Sequence, residues 1–134
     1  MTELLIESGL PADLEELAKR TIGALLAVHR ELGSGMTEGV YAAATRVELA
    51  ARGIPFEREK RLPIHYRGQF LCHQRIDLFV DDRLVVELKS VEALHAVRFA
   101  QVVSYLRLTG ARLGLLVNFN VPLLKHGGVR RVIL

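Results

Sequence analysis

Tryptophan is absent from this 134-residue chain, cysteine occurs once and proline four times. No apolar run approaches the roughly 20 residues that a membrane-spanning helix needs. The single cysteine, Cys72, excludes an intrachain disulfide and a structural zinc site built on several thiolates. The scarcity of proline and the lack of any low-complexity stretch exclude a linker-rich or disordered chain. The opening residues Met1 to Glu7 carry acids where a signal peptide carries bases. With the lone cysteine, this leads us to expect a reducing, cytoplasmic location and no membrane partner. Gly33-Ser34-Gly35 is too short for a phosphate loop and lacks its lysine, so it reads as a turn between helices.

What is present is ordinary globular material: half the residues are hydrophobic and a quarter charged. A chain of this length sustains one hydrophobic core, so a single domain over 1–134 is expected. Its net charge of +3 hides an asymmetry. Residues 1–40 hold seven acids and three bases, whereas residues 41–134 hold eight acids and fifteen bases, net −4 against net +7. A basic excess of that kind suits a polyanionic partner, although a solvated basic surface would read the same way.

Apolar residues recur at helical spacing from Leu14 to Leu32, behind Pro11 and an acidic first turn, which predicts a helix over about 11–32. Thr37 reads as the N-cap of a second helix, about 38–52, closed by Gly53. After the Ile54-Pro55 break, residues 56–67 read as one or two edge strands, with Pro63 as punctuation. A turn at Arg67-Gly68-Gln69 leads into a strand over 70–80. A third helix is expected over 93–109, closed by Gly110. The continuous apolar run Leu113 to Phe119 predicts a strand buried on both faces, and Val129 to Leu134 an edge strand. A helix crossing from the strand ending at Lys89 to that of 113–119 implies that these two strands run parallel. The class is therefore α/β, a central mixed β-sheet flanked by helices.

Three charges stand out in an apolar hairpin whose arms are Ile76 to Val80 and Leu84 to Lys89, with Asp81-Asp82-Arg83 between them. They are Asp77, Glu87 and Lys89, and such groups are costly to bury unless paired or bound to a cation. Glu87 and Lys89 share a face by strand period. Asp77 joins them only if the turn has three residues, pairing 80 with 84, or if one arm is bulged; a two-residue turn sets Asp77 opposite Val86. Two carboxylates on one face invite a hard cation, Mg²⁺ or Mn²⁺, and a lysine beside them can stabilise charge developing on a phosphodiester. A partly buried salt-bridge network is the alternative reading of the same three residues.

The hairpin resembles the core motif of the PD-(D/E)XK nuclease superfamily, with Asp77 as the motif aspartate and Glu87-Leu88-Lys89 as the (D/E)XK; Ile76 stands where the motif name has proline. Gln101-Val102-Val103-Ser104-Tyr105 is similar to the Q-x-x-x-Y signature of RecB-like nucleases, on the following helix. Gly35-Met36-Thr37-Glu38-Gly39-Val40-Tyr41 matches the pattern that names the GxxExxY family. The resemblance, over about 20–134, implies a restriction-endonuclease-like core and a Mg²⁺- or Mn²⁺-dependent nuclease acting on nucleic acid, DNA rather than RNA. It implies Asp77 and Glu87 as metal ligands, Glu38 as a candidate third carboxylate, Lys89 as the group that orients the water and stabilises charge, and Gln101 and Tyr105 as organisers of the site. Glu38 also reads simply as a first-turn acid favoured by the helix dipole, and Gln101 and Tyr105 as a polar helix face.

Among other candidates, His73 lies at even offset from Asp77 and is a possible phosphate contact. His95 and Arg98 open the third helix, where free N–H groups favour anions. His29, in the apolar-periodic first helix, reads as a hydrogen-bonded packing residue. So small a core has little surface for substrate recognition, which points to a homodimer or a partner protein. A module keeping this fold without turnover is the competing functional class.

Overall fold

A computed structural model of the chain describes residues 8–134. The acidic opening Met1 to Glu7 lies outside the described residues. Three helices flank a five-stranded mixed sheet. The elements are α1 (Ala12–Leu32), α2 (Glu38–Ala51), β1 (Phe56–Tyr66), β2 (Gln69–Val80), β3 (Leu84–Lys89), α3 (Ala96–Thr109), β4 (Leu113–Asn118) and β5 (Val129–Ile133). Strand order follows chain order, β1-β2-β3-β4-β5, and only β3 and β4 pair in parallel, across the α3 crossover. All six residues of β4 are buried, as its unbroken apolar run requires. No helix among the described residues is long and apolar enough to cross a membrane.

Two clusters of side chains fill the two faces of the sheet. On one, α1 and α2 bury Leu17, Leu25, Val28, Tyr41 and Leu49 against Leu78, Val80, Leu84, Val86 and Leu88. On the other, α3 buries Val102, Tyr105 and Leu106 against Ile76, Phe79, Val85 and Leu116. Val85 and Glu87 therefore point toward α3 while Val86 and Leu88 point toward α1 and α2.

One boundary left open by the sequence is decided in the structure and two others move. Residues 56–66 form one continuous strand that runs through Pro63, because β1 is an edge strand and a missing N–H there costs no ladder bond. The third helix begins at Ala96 rather than 93, so His95 is its N-cap instead of part of its first turn. The second helix ends at Ala51, with Arg52 as C-cap and Gly53 at a φ of 68°.

The crossover helix lies close on the sheet because β4 carries a glycine beneath it. A Cβ placed on Gly114 would sit 2.5 Å from Cγ1 of the fully buried Val102, a β-branched side chain with one strongly preferred rotamer in a helix. Gly114→Ala should therefore lower unfolding stability by roughly 1–3 kcal/mol, the usual cost of overpacking a core. Urea unfolding measures this directly, and an unchanged midpoint would mean that α3 does not rest on β4 in this way.

Candidate active site

The Asp81-Asp82-Arg83 turn has three residues. Val80 pairs with Leu84, Phe79 with Val85 and Leu78 with Val86, a register that carries Asp77 opposite Glu87. Asp81 and Asp82 take φ values of 50° and 53°, a left-handed conformation that aspartate tolerates better than most side chains. Of the two geometries open to the sequence, the odd turn is the one adopted.

The ladder between β2 and β3 stops at Leu78/Val86, and the two carboxylates take over its hydrogen bonds. The Asp77 backbone N–H donates to Glu87 Oε1 at 2.9 Å, and the Leu88 N–H donates to Asp77 Oδ2 at 2.8 Å. Side-chain alternation breaks at the same point, since Ile76 and Phe79 both pack toward α3 whereas Leu78 packs on the opposite face. On the neighbouring strand Glu59 has a φ of 51° between the Arg58/Leu78 and Lys60/Ile76 pairs. Both strands are thus distorted where the carboxylate pair is set.

Glu87 is buried, with 6% of its surface exposed, and its carboxyl is pushed up to about 8. Burial is the largest cause and the charge of Asp77 the next; the Asp77 N–H and the Lys89 ammonium pull the other way. Near neutral pH the pair thus holds a proton that a bound cation would displace. Two hard oxygen donors, one of them kept neutral by burial and by its neighbour's charge, form a donor set that fits a divalent metal. No group of three His, Cys, Asp or Glu side chains suited to a metal is gathered among the described residues. Asp77 and Glu87 would accordingly hold a metal with the help of water or substrate oxygens.

Glu38, at the start of α2, is exposed and lies with its Oε1 3.7 Å from Lys89 Nζ. The structure thus brings Glu38 to Lys89 rather than into a three-carboxylate cluster. Its partner in the motif, Tyr41, is fully buried and serves the loop between α1 and α2. The Tyr41 hydroxyl donates to the Gly33 carbonyl and accepts the Met36 N–H, and its ring stacks on Phe119 at 4.3 Å. Ser90 Oγ donates to the Met36 carbonyl at 2.8 Å, tying that loop to the residue after Lys89.

On α3, Arg98, Gln101 and Tyr105 follow at steps of three and four and share a face. Arg98 Nη1 donates to Gln101 Oε1 at 3.4 Å. The Tyr105 phenol is raised above its usual range by burial and then by the charges of Glu87 and Asp77, so it remains a neutral hydroxyl near that pair. His95 is exposed at the N-cap and makes no side-chain cap bond. His73 lies away from α3 on the exposed part of β2, where its Nδ1 accepts from Arg61 Nη2 at 3.3 Å. His29 is buried with Nε2 3.0 Å from the Phe119 carbonyl, in the packing role expected of it.

Sequence reasoning missed Asn118. It pairs with Lys89 across the parallel ladder and is buried at the end of β4. Its Oδ1 accepts the N–H groups of Val91 and Asn120, and its Nδ2 donates to the Val91 carbonyl. That amide fixes the path of the chain as it leaves Lys89. The one signal was a polar residue in an otherwise apolar run.

The family model described as the PD-(D/E)XK nuclease superfamily matches residues 15–132. No curated protein and no solved structure matches the chain.

Because the folded state holds the Glu87 proton more tightly than the unfolded chain, the native state without metal binds extra protons between about pH 4.5 and 8. The stability difference between wild type and Glu87→Gln is thus greatest in favour of wild type below about pH 4.5 and declines as pH rises through about 8. Thermal unfolding of both proteins in chelator across that range reads the difference, and parallel pH profiles would rule out a raised Glu87.

Proposed function

The chain belongs to the PD-(D/E)XK nuclease superfamily, and on that basis we propose that it hydrolyses phosphodiester bonds of nucleic acid, DNA in preference to RNA, with a divalent metal as cofactor. The observation that carries this reading is the Asp77/Glu87 pair, locked together by two crossed hydrogen bonds with Lys89 on the same side of β3. Within the superfamily, Gly35 to Tyr41 favours the GxxExxY branch, and Gln101 with Tyr105 on α3 favours a RecB-like site.

Each residue has a task in this scheme. Asp77 and Glu87 hold the cation, Mg²⁺ or Mn²⁺, which when bound supplies Lewis acidity toward the scissile phosphate and lowers the pKa of the attacking water. Lys89 orients that water and stabilises the charge growing on the phosphoryl oxygens. Glu38, 3.7 Å from the ammonium, is the ion-pair partner that holds Lys89 in place. Tyr105 and Gln101 offer neutral hydrogen-bonding groups to the same space. Arg98 and His95, at the start of α3, contribute positive charge and free N–H groups for a flanking phosphate. Water oxygen bonds to phosphorus as the bond to the leaving sugar oxygen breaks, and the products are a phosphate monoester and an alcohol.

Incubation of the purified protein with Mg²⁺ or Mn²⁺ and single-stranded, duplex or branched DNA or RNA should yield cleavage. Glu87→Ala and Lys89→Ala should each lower the rate by at least roughly 10²-fold, as expected for groups acting on transition-state charge, while remaining folded by circular dichroism. Failure of the wild type to cut any of these substrates would overturn the assignment.

A further inference from the structure

The distal part of the β1–β2 hairpin extends past the body of the sheet. β2 pairs with β3 only from Leu78 to Val80, so Gln69 to Asp77 and their partners Lys60 to Tyr66 form a two-stranded ribbon. Seven residues of β1 at about 3.3 Å each make this arm roughly 23 Å long. One face packs on α3 through Leu62 and Ile76. The other is open and carries Arg61 directly across from Arg75, with His73 across from Pro63.

Like charges set opposite each other on neighbouring strands destabilise a hairpin, so this pair is not there for the arm's own sake. Glu59 is the one acid in 58–75, against Arg58, Lys60, Arg61, Arg67 and Arg75. Its carboxylate lies 3.9 Å from both Arg58 and Arg75 and offsets only part of that charge. Arg61 donates to His73 Nδ1, which steers the guanidinium toward a shallow notch of about 450 Å³ shared with Arg75. His73 and Arg75 follow each other along this open face, about 7 Å apart. The break in alternation after Ile76 turns Asp77 to the α3 face, so the arginines and the carboxylate pair occupy opposite sides of β2 at adjoining positions.

We propose that this ribbon is the substrate-binding arm of the protein and that it takes double-stranded DNA, entering the major groove. The inference rests on the nuclease reading above. A two-stranded ribbon fits a B-form major groove about 12 Å wide, whereas the deep, narrow major groove of A-form RNA excludes it. Single strands are held by aromatic platforms on which successive bases stack. Here Phe70 lies against His65 and His73, at ring distances of 5.8 and 5.0 Å, and Tyr66 is exposed at the tip, two rings at one end of the arm rather than a row along it. Arg61 and Arg75 would hold phosphates of the duplex along the face of the arm that points away from α3.

The test is fluorescence anisotropy in Ca²⁺ with duplex DNA, duplex RNA and single-stranded DNA of one sequence, over a salt series. Wild type should prefer duplex DNA. Arg61→Ala/Arg75→Ala should weaken that binding at least tenfold and lower the slope of log K against log salt by about 2, one for each lost phosphate contact. Both positions are exposed, so the melting temperature should hold, and Arg61→Lys/Arg75→Lys should retain most of the slope. Unchanged binding in the alanine variant, or equal loss for RNA or single strands, overturns the proposal. The two readings fail separately. Arginine-dependent duplex binding without cleavage supports the arm and sinks the nuclease, whereas cleavage indifferent to both arginines sinks the arm alone.

Discussion

Two crossed hydrogen bonds hold the functional end of this sheet together. Where β2 and β3 separate, the side chain of Glu87 accepts the Asp77 N–H and the side chain of Asp77 accepts the Leu88 N–H. A ladder that would otherwise end in open backbone groups is continued by carboxylates. Structure and chemistry therefore compete for the same four oxygens. One oxygen of each residue is committed to the backbone and the other is left for a ligand. The backbone bonds also immobilise both groups, so little reorganisation remains when charge arrives between them. The burial that fixes Glu87 makes its ionisation unfavourable, and a protein so arranged is tuned to its cation more than to its own isolated stability.

The rest of the fold supports this junction from both faces. α3 stands on Gly114 and brings Tyr105 close enough for its phenol to feel both carboxylates. On the other face, the loop between α1 and α2 is clamped by Tyr41 and by Ser90, and Glu38 follows it directly toward Lys89. Asn118 secures the chain beyond Lys89. Among the described residues the acidic first 40 and the basic remainder meet at three ion pairs, Asp13–Arg83, Glu15–Arg131 and Glu38–Lys89, the last beside the carboxylates.

Much of the architecture could be read directly from residue patterns, because helix periodicity, the glycine stops at Gly53 and Gly110 and the unbroken run of β4 are local signals with one physical meaning each. The parity of the turn after Val80 was legible as a choice between two registers, and core packing decides it: only the odd turn buries Leu78, Val80, Leu84 and Val86 together. Other features depend on distant partners. Tyr41 and Glu38 share a helical spacing, yet one is sealed against Phe119 and the other is in solvent, since burial is set by a residue just past β4, nearly eighty positions later. Asn118 and the Glu59 distortion gave no usable pattern for the same reason. The helix start at Ala96 was misplaced because Ala93 and Leu94 continue an apolar rhythm in residues that are not helical.

The three-residue turn at 81–83 has a consequence for how such a gene can vary. A change of one codon there that slips either strand by a residue would place Asp77 opposite an apolar neighbour of Glu87 and disconnect the carboxylates without disturbing the hydrophobic composition of either strand. A slip of two residues would restore the shared face yet set Asp77 opposite Val85 or Lys89, and the crossed hydrogen bonds would still be lost. Length variation at this turn is thus tolerated only where the loop absorbs it without slipping either strand, a rule of inheritance written by the register of a β-hairpin.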